Sequence, residues 1–437
     1  MPHPDAILAA TRFGLGPRPG ELEAIGDDPR GWLLEQLKEP EPTPLLDALP
    51  HSTQIVREFA DRRSLDEAGK RALRERQRSQ YHQAAVAWMQ TAAASTQPFR
   101  ERLVALFTNH FTVSIARPEV VPLVGPFMVE AIRPHITGRF SDMLLASTRH
   151  PAMLVYLDNV RSIGPDSRAG KRSGRGLNEN LAREVLELHT LGVDGGYTQA
   201  DVESFAAMLT GWGVCLDGSG SFYEPRRHQP GDKTLLGKRY AGSGQMEAVL
   251  ALSDLARHPR TARFLATKIA RHFVADQPPV ALIDTLTREM LDTDGDLHAV
   301  AARLVQLDAA WEVPYDKLRT PLDLTLAGAR AFGWEEDGPA MVSSLQMLGQ
   351  APHSAASPEG WPDTAEEWLG PDALLSRLEW AQLLASQSLH RVPDPGQRVE
   401  QILGSSLSPT TRRALARSAD PTEMLALMIA SPEFQRR

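Results

Sequence analysis

The 437 residues are 42% hydrophobic and 23% charged, a composition typical of a folded globular protein with two or three subdomains. The 55 acidic side chains outnumber the 47 basic ones, which gives a net charge of −8. Because phosphate backbones attract basic surfaces, this charge argues against nucleic acid as a partner.

Cysteine content and hydropathy exclude two further classes. Cys215 is the only cysteine, so the sequence offers neither an intrachain disulfide nor a cysteine-based zinc site. No segment reaches the roughly 18 apolar residues of a membrane span, and the first residues lack a signal-peptide pattern. We therefore expect a cytoplasmic protein without a membrane span, although a removed export leader would leave no trace.

Helical periodicity runs through almost the whole chain, with one β pattern near its middle. It predicts a mainly α fold of many helices, packed orthogonally or as bundles. We divide the fold into an N-terminal helical region at 1–95, a central core at 96–348 and a C-terminal helical region at 349–437. A connector rich in Pro, Gly and Trp opens the last region and is predicted to be an ordered loop.

The first candidate site residue lies in a helix predicted at 98–114. At 100° per residue, His110 falls in the middle of an apolar face that includes Leu106 and Phe107. This histidine is either a core residue bonded to a backbone carbonyl or part of a site. Asn109 precedes it and is a candidate for substrate binding.

A second candidate stands at the end of a helix that starts at Pro151. The apolar run ends at Asp158, which places a carboxylate at a helix terminus. The loop at 160–177 that follows is rich in Gly and Arg. It is interpreted either as a lid over a neighbouring site or as a plain surface loop.

The stretch Asn178–Gly192 is the strongest candidate for the wall of a site. On a helical wheel, Asn180, Glu184 and Glu187 fall within about 100° of Arg183, and the apolar residues fall on the other side. If the charged face is exposed, its members form an ordinary surface pair one turn apart. If it is buried against other helices, it supplies carboxylates to a site.

The next residues predict a tight loop, a helix and then the only β structure. Thr198 and Asp201 match a capping box at the start of the helix. Residues 213–240 predict a hairpin insertion with a turn at Gly218–Gly220, which would cross the mouth of a helical pocket.

A later helix, predicted at 258–274, carries Lys268 and His272 on its apolar face. Burying an unpaired ammonium group costs several kcal/mol, so this lysine must reach solvent, pair with a carboxylate or line a cavity. We expect both residues, together with His110, to meet the charged face of Asn178–Gly192.

Short motifs spread over nearly the whole chain belong together. They include Arg12-Phe13-Gly14, Asn109-His110-Phe111, Leu157-Asp158-Asn159, Asn178-Glu179-Asn180, Leu186-Glu187-Leu188-His189-Thr190-Leu191-Gly192, Leu209-Thr210-Gly211-Trp212, Arg271-His272-Phe273 and Gly360-Trp361-Pro362. This series resembles the bacterial DUF1800 proteins. The resemblance implies one mostly helical unit of bacterial origin with relatives that are often exported, and it transfers no catalytic residue.

Three kinds of function are open for such a site. Buried carboxylates with shifted pKa values act as general acid and base on glycosidic, ester or amide bonds. A divalent metal held by Glu184, Glu187 and His110 would instead activate water for hydrolysis, or oxygen in an oxidoreductase. The third alternative is a binding or assembly protein in which the polar network only fixes helix packing.

We favour acid/base or metal-assisted hydrolysis of a glycan-like or peptide-like substrate. No nucleotide or flavin fingerprint is present, so a divalent metal is the cofactor under consideration. A small molecule, a polymer and a protein are open as partners. Candidate catalytic residues are Glu184, Glu187, His110, Asp158, Lys268 and His272. Candidate substrate-binding residues are Arg183, Asn178, Glu179, Asn180, Asn109, His228, Lys233 and Trp212.

Overall fold

The fold is built almost entirely from helices. A computed structural model describes residues 4–61, 65–215, 220–312 and 315–437. Across these ranges the mainly α fold class is confirmed, and β structure is limited to four short strands. None of the helices in these ranges has both the length and the apolarity needed to cross a membrane.

Helices of the N-terminal half begin at local start signals. Asp28 accepts a hydrogen bond from a first-turn amide and Pro29 opens the helix, while Asp66 caps the long charged helix in the same way. The helices are α1 (Pro4–Leu8), α2 (Glu21–Ile25), α3 (Pro29–Glu35), α4 (Pro44–Asp47), α5 (Ser52–Asp61), α6 (Glu67–Ala94), α7 (Pro98–His110), α8 (Val124–Phe127), α9 (Phe140–Arg149), α10 (Pro151–Tyr156), α11 (Arg168–Ser173) and α12 (Asn180–Glu184).

The same signals start the later helices. The predicted capping box of Thr198 and Asp201 is confirmed, and Thr320 forms a second one with Asp323. The helices are α13 (Gln199–Leu209), α14 (Gln245–Ala256), α15 (Pro259–Phe273), α16 (Val280–Asp292), α17 (Leu297–Gln306), α18 (Pro321–Phe332), α19 (Gly338–Met347), α20 (Pro371–Ser388), α21 (Pro395–Leu403), α22 (Pro409–Leu415), α23 (Pro421–Ala430) and α24 (Pro432–Gln435).

Wider helical turns of the π type extend some of these helices. Within the described ranges they occur at Ala9–Phe13, Met128–Ile132 and Val185–Thr190. Because the hydrogen bond of a π turn spans five residues, it admits one extra residue and rotates the chain that follows. The third of these turns decides which side chains of the segment after α12 point inward.

The predicted hairpin at 213–240 is confirmed. Strand β1 (Trp212–Cys215) pairs antiparallel with β2 (Gly220–Tyr223), with Trp212 opposite Tyr223. Of its predicted turn, Gly218 and Ser219 lie outside the described residues.

The same insertion contains a second hairpin that the sequence did not predict. Strand β3 (Lys233–Leu235) pairs with β4 (Lys238–Tyr240) across the two-residue turn Leu236–Gly237. Both turn residues have positive φ angles, of 50° and 77°. Such a turn usually carries Asn-Gly or Asp-Gly, and a leucine in this conformation hides the hairpin from sequence analysis.

One continuous hydrophobic core extends from Ala6 to Phe434. It includes residues from all three predicted regions, and the α15–α16 and α20–α23 pairs pack closely. The division into 1–95, 96–348 and 349–437 stays a prediction.

Candidate active site

Helix α15 forms one wall of the candidate site. His258 caps it by accepting a hydrogen bond from the Arg260 amide at 3.2 Å, and its apolar face packs into the core. On that face His272 is buried and Lys268 is half-buried, as the helical periodicity predicts. The two residues lie one turn apart. Lys268 lines a surface groove, and His272 lies in the wall of a cavity.

His272 forms a hydrogen-bonded pair with Asp363. Its Nδ1 lies 3.2 Å from Asp363 Oδ1, and its Nε2 is buried without a hydrogen-bond partner among the described residues. Since a carboxylate only accepts, Nδ1 carries the proton and Nε2 keeps a free lone pair. This is the arrangement in which a carboxylate orients a histidine as a base.

The pKa values of the pair favour that form at neutral pH. Burial lowers the pKa of His272 to about 4, and the hydrogen bond to Asp363 offsets only part of this effect. Burial opposes ionisation of Asp363, but the hydrogen bond with His272 and nearby Lys317 outweigh it and lower the pKa to about 2. At pH 7 the pair therefore consists of a carboxylate and a neutral imidazole.

The connector at 349–370 holds Asp363 in place through its backbone. Asn109 donates to the Trp361 carbonyl at 2.8 Å and accepts from the Trp361 amide at 2.7 Å. Lys317 donates to the Asp363 carbonyl at 2.6 Å. Gly360 has a φ of +91°, and a Cβ there would lie 2.6 Å from the Asn109 carbonyl oxygen, so only glycine fits.

A cavity of about 60 Å³ lies between α6, α7, α18, α19 and this connector, with His272 and Asp363 in its wall. It has room for about four water molecules. His353 and Thr108 also line it. In the described part of the chain, His353 Nε2 and Thr108 Oγ1 are buried without hydrogen-bond partners. Buried polar atoms are seldom left without a hydrogen bond unless a water or ligand molecule supplies the partner.

A buried ion cluster stands behind His272. Arg102 Nη2 lies 3.1 Å from Asp323 Oδ1 and Arg437 Nε lies 3.1 Å from Oδ2, with all three side chains at most 6% exposed. Burial alone would raise the pKa of Asp323, but the two guanidinium groups hold it well below its usual range. The positive charge of Arg102 and Arg437 also helps to keep His272 neutral.

Two buried histidines, His110 and His189, lie beside Lys268. His110 Nε2 donates to the backbone carbonyl of His189 at 3.2 Å, and both rings pack against Phe111. Burial and the charge of Lys268 lower the pKa of His189 to about 3 and that of His110 well below 6.5. His110 therefore bonds a backbone carbonyl, which is one of the two alternatives drawn from the sequence.

The π turn explains which side of Asn178–Gly192 faces inward. Thr190 follows Arg183 by seven residues, so in an α-helix both would share a face. Instead Thr190 is fully buried, and its Oγ1 donates to the Val185 carbonyl, five residues back, at 2.7 Å. The extra residue thus brings Thr190 to the core beside His189.

The expected packing of the charged face against α7 and α15 is wrong. The Arg183 side chain is 37% exposed, and its Nη2 lies 2.9 Å from Glu179 Oε2. Glu187 is 26% exposed, and its Oε1 lies 3.8 Å from Arg183 Nη1. The inner face is occupied by Leu181, Val185 and other apolar residues, which leaves no room there for carboxylates. Glu184 and Glu187 thus do not meet His110, Lys268 or His272.

The two glutamates still influence one another. Burial and the charge of Glu187 raise the pKa of Glu184. Burial and a hydrogen bond to Glu187 raise the pKa of Tyr197 above its ordinary value. This outer cluster has two half-buried carboxylates in different environments, and it is separate from the His272 pair.

A family model described as a protein of unknown function, DUF1800, matches residues 8–436, nearly the whole chain. The chain belongs to the DUF1800 family. No curated protein and no solved structure matches it. Membership confirms the resemblance seen in the motifs and assigns no activity, so the chemistry of this DUF1800 protein rests on its own residues.

Three further candidates of the DUF1800 chain lie in a separate buried cluster of the insertion. Lys233 Nζ lies 2.7 Å from Glu247 Oε2 and donates to the Gln229 carbonyl at 2.5 Å. His228 lies 3.3 Å from Glu247 Oε1, and Trp212 is buried nearby on β1. Lys233, His228 and Glu247 pair with one another and so fasten the insertion to α14, whereas Trp212 Nε1 is buried without a hydrogen-bond partner among the described residues.

Of the remaining candidates, Asn109 lines the cavity and the others lie outside it. Asp158 has a φ of +60° and accepts from Arg117 at 2.7 Å, which fixes the end of α10. Asn178 and Glu179 are half-buried and Asn180 is exposed. Asn109 lines the cavity, but its amide is used by Trp361.

The structure does not bring together the three residues considered as metal ligands. His110 lies on the inner side of the π turn, whereas Glu184 and Glu187 lie on its outer side. Within the described ranges no group of three or more His, Cys, Asp or Glu side chains is placed to hold a metal ion.

Sequence analysis missed Asp363, His353 and Asp323. Asp363 is 91 residues away from His272 along the chain, and it stands in a loop that has no periodicity. Its local signal was the Gly360-Trp361-Pro362 motif, which directly precedes it. Asp323 has the appearance of an ordinary capping-box residue, because Thr320 precedes it by three positions.

Proposed function

We propose that this protein is a hydrolase in which His272, oriented by Asp363, acts as the general base. The proposal depends on one observation: His272 Nε2 has no hydrogen-bond partner among the described residues, and His272 lies in the wall of a cavity large enough for water. The lowered pKa of His272 favours the neutral ring at pH 7. A base of this kind accelerates proton transfer by about 10²- to 10⁴-fold.

The reaction follows from the atoms at the cavity. Nε2 accepts a proton from a water molecule as its oxygen attacks the electrophilic centre of an ester, amide or glycoside. The Asp363 carboxylate stabilises the imidazolium, which then returns the proton to the leaving group. Thr108 Oγ1 is free to donate a hydrogen bond to a substrate oxygen at the same cavity.

Three alternatives receive less support from the geometry. A purely structural polar network should be fully satisfied, whereas His272, His353 and Thr108 leave polar atoms unpaired among the described residues. A metal-assisted hydrolase or oxidoreductase needs a ligand set, and the described residues supply none. The outer pair of Glu184 and Glu187 stays an alternative acid/base site, supported by the raised pKa of Glu184.

Replacement of His272 by Gln is expected to reduce hydrolysis by about 10²- to 10⁴-fold, because glutamine cannot accept the proton. We suggest screening the purified protein against chromogenic esters, amides and glycosides, and measuring kcat/KM on the best substrate. Asp363→Asn is expected to lose activity to a similar degree by favouring the wrong tautomer.

Two controls separate this site from its alternatives. His298 lies in an exposed position, and His298→Gln should leave the rate unchanged. Glu184→Gln should also keep the activity if His272 is the base. Full activity of His272→Gln together with a large loss in Glu184→Gln would contradict the proposal and favour the outer cluster.

A further inference from the structure

A groove beside the candidate site contains two cations that form no ion pair with any described residue. Lys268 and Arg271 lie on α15 and line this groove together with Leu191, Val193 and Phe264. Over the described ranges, no carboxylate lies within 4.0 Å of either cation, and neither donates a hydrogen bond. Arg271 Nε is buried as well as unpaired in that part of the chain.

The other two basic residues of the groove are already used. Arg260 donates to the Asp194 carbonyl at 2.7 Å, and Arg263 forms a salt bridge with Asp284 at 2.6 Å. These contacts fasten α15 to its neighbours. The unpaired state of Lys268 and Arg271 is therefore a property of these two positions rather than of a generally basic surface.

Lys268 is the more unusual of the two. Its Nζ lies 5.5 Å from the centroid of the Phe264 ring, and the side chain is half-buried. Burial lowers its pKa, an effect that the more distant Asp363 and Glu359 partly offset. Asp363 is engaged by His272 instead. Apart from its contact with the Phe264 ring, the ammonium has no partner in the described part of the chain. Burying an ammonium without a counter-charge destabilises the fold, so its presence calls for a partner outside the chain.

We propose that this groove binds an organic anion with an apolar tail. The anionic head, a carboxylate or a phosphate ester, pairs with Lys268 and with the planar guanidinium of Arg271. The tail packs on Phe264, Leu191 and Val193, whose side chain is 71% exposed at the rim. With a volume of about 370 Å³, the groove has the size of a small-molecule site.

Titration calorimetry with octanoate and octyl phosphate tests this site, and acetate and inorganic phosphate serve as heads without tails. We expect at least one of the tailed anions to bind with a Kd below about 1 mM, and its bare head to bind at least tenfold more weakly. The stronger of the two tailed anions identifies the head that the groove accepts.

Lys268→Met is expected to weaken binding at least tenfold while keeping or raising the melting temperature, because it removes an unpaired cation. Arg271→Gln serves as a second variant with the same expected loss. Lys238→Met is the matched control, because Lys238 is exposed and paired with Asp254. His272→Gln should still bind the anion, so this inference is tested separately from the proposed function.

The inference is overturned by either of two results. One is the absence of saturable binding of both tailed anions up to about 10 mM. The other is wild-type affinity in both folded variants, Lys268→Met and Arg271→Gln.

Discussion

Lowering the pH from 7 to 5 is expected to destabilise the protein strongly, by about 6 kcal/mol. His189, His272 and His353 have pKa values of about 3, 4 and 4 when folded, and the pKa of His110 is also well below 6.5. Burial is the main cause in each case. A histidine with a depressed pKa contributes stability that is complete above pH 6.5 and is lost as the pH falls towards the folded value.

The size of the loss follows from the same pKa values. At pH 5 each of the three histidines His189, His272 and His353 costs about 2 kcal/mol relative to pH 7, because it must stay neutral while the unfolded chain binds a proton. The sum of about 6 kcal/mol is a large part of the stability of a typical domain, and His110 adds to it in the same direction. Urea unfolding followed by circular dichroism between pH 7 and pH 5 measures this loss directly.

A single variant isolates one of these contributions. His353 has a φ of +51°, a conformation that asparagine tolerates, so His353→Asn removes the titrating group with little backbone strain. Between pH 7 and pH 5, the free energy of unfolding of this variant should fall by about 2 kcal/mol less than that of the parent. His82→Asn, at an exposed position, should lose as much as the parent. A parent whose free energy of unfolding changes by less than about 2 kcal/mol over this range would contradict buried neutral histidines.

Replacement of Asp323 by Asn is expected to destabilise the protein by about 3–5 kcal/mol, because it leaves Arg102 and Arg437 buried without a counter-charge. The pKa of Arg102 is already lowered to about 9, by burial and then by Arg437, although Asp323 opposes this effect. Without the carboxylate, these guanidinium groups must unpair, move or lose a proton.

The chain provides a matched control for this substitution. Asp201 stands at the third position of a capping box, as Asp323 does, but it is only half-buried and forms no ion pair with an arginine in the described part of the chain. Asp201→Asn should therefore cost only about 1 kcal/mol, the usual effect of a weakened cap. Equal losses in chemical unfolding of the two variants would show that the buried ion cluster contributes no more than the cap.

Local signals explain why much of the fold could be predicted. The bounds of α21 and α23 follow from an aspartate that caps each helix and a proline that opens it. The 100° periodicity placed Lys268 and His272 on the packed face of α15, because that helix has no π turn to shift its register.

The rest of the site depends on contacts between distant residues. No spacing in the sequence relates His272 to Asp363, which becomes its partner only when Asn109 fixes the Trp361 backbone. The inward-facing side of Asn178–Gly192 was predicted wrongly for a different reason. Its residues fit an α-helix whether the charged face meets solvent or other helices, and the π turn that brings Thr190 to the core leaves no separate mark in the sequence.

The central claim is that His272 is a neutral base with a free Nε2 held by Asp363. Nitrogen-15 NMR of the histidine rings tests it most directly, with His272→Gln to assign the signals. At pH 7 we expect a neutral His272 with its proton on Nδ1, no titration between pH 8 and pH 6, and a change of tautomer in Asp363→Asn. A His272 that carries its proton on Nε2 at pH 7, or that titrates near pH 6.5, would contradict the account.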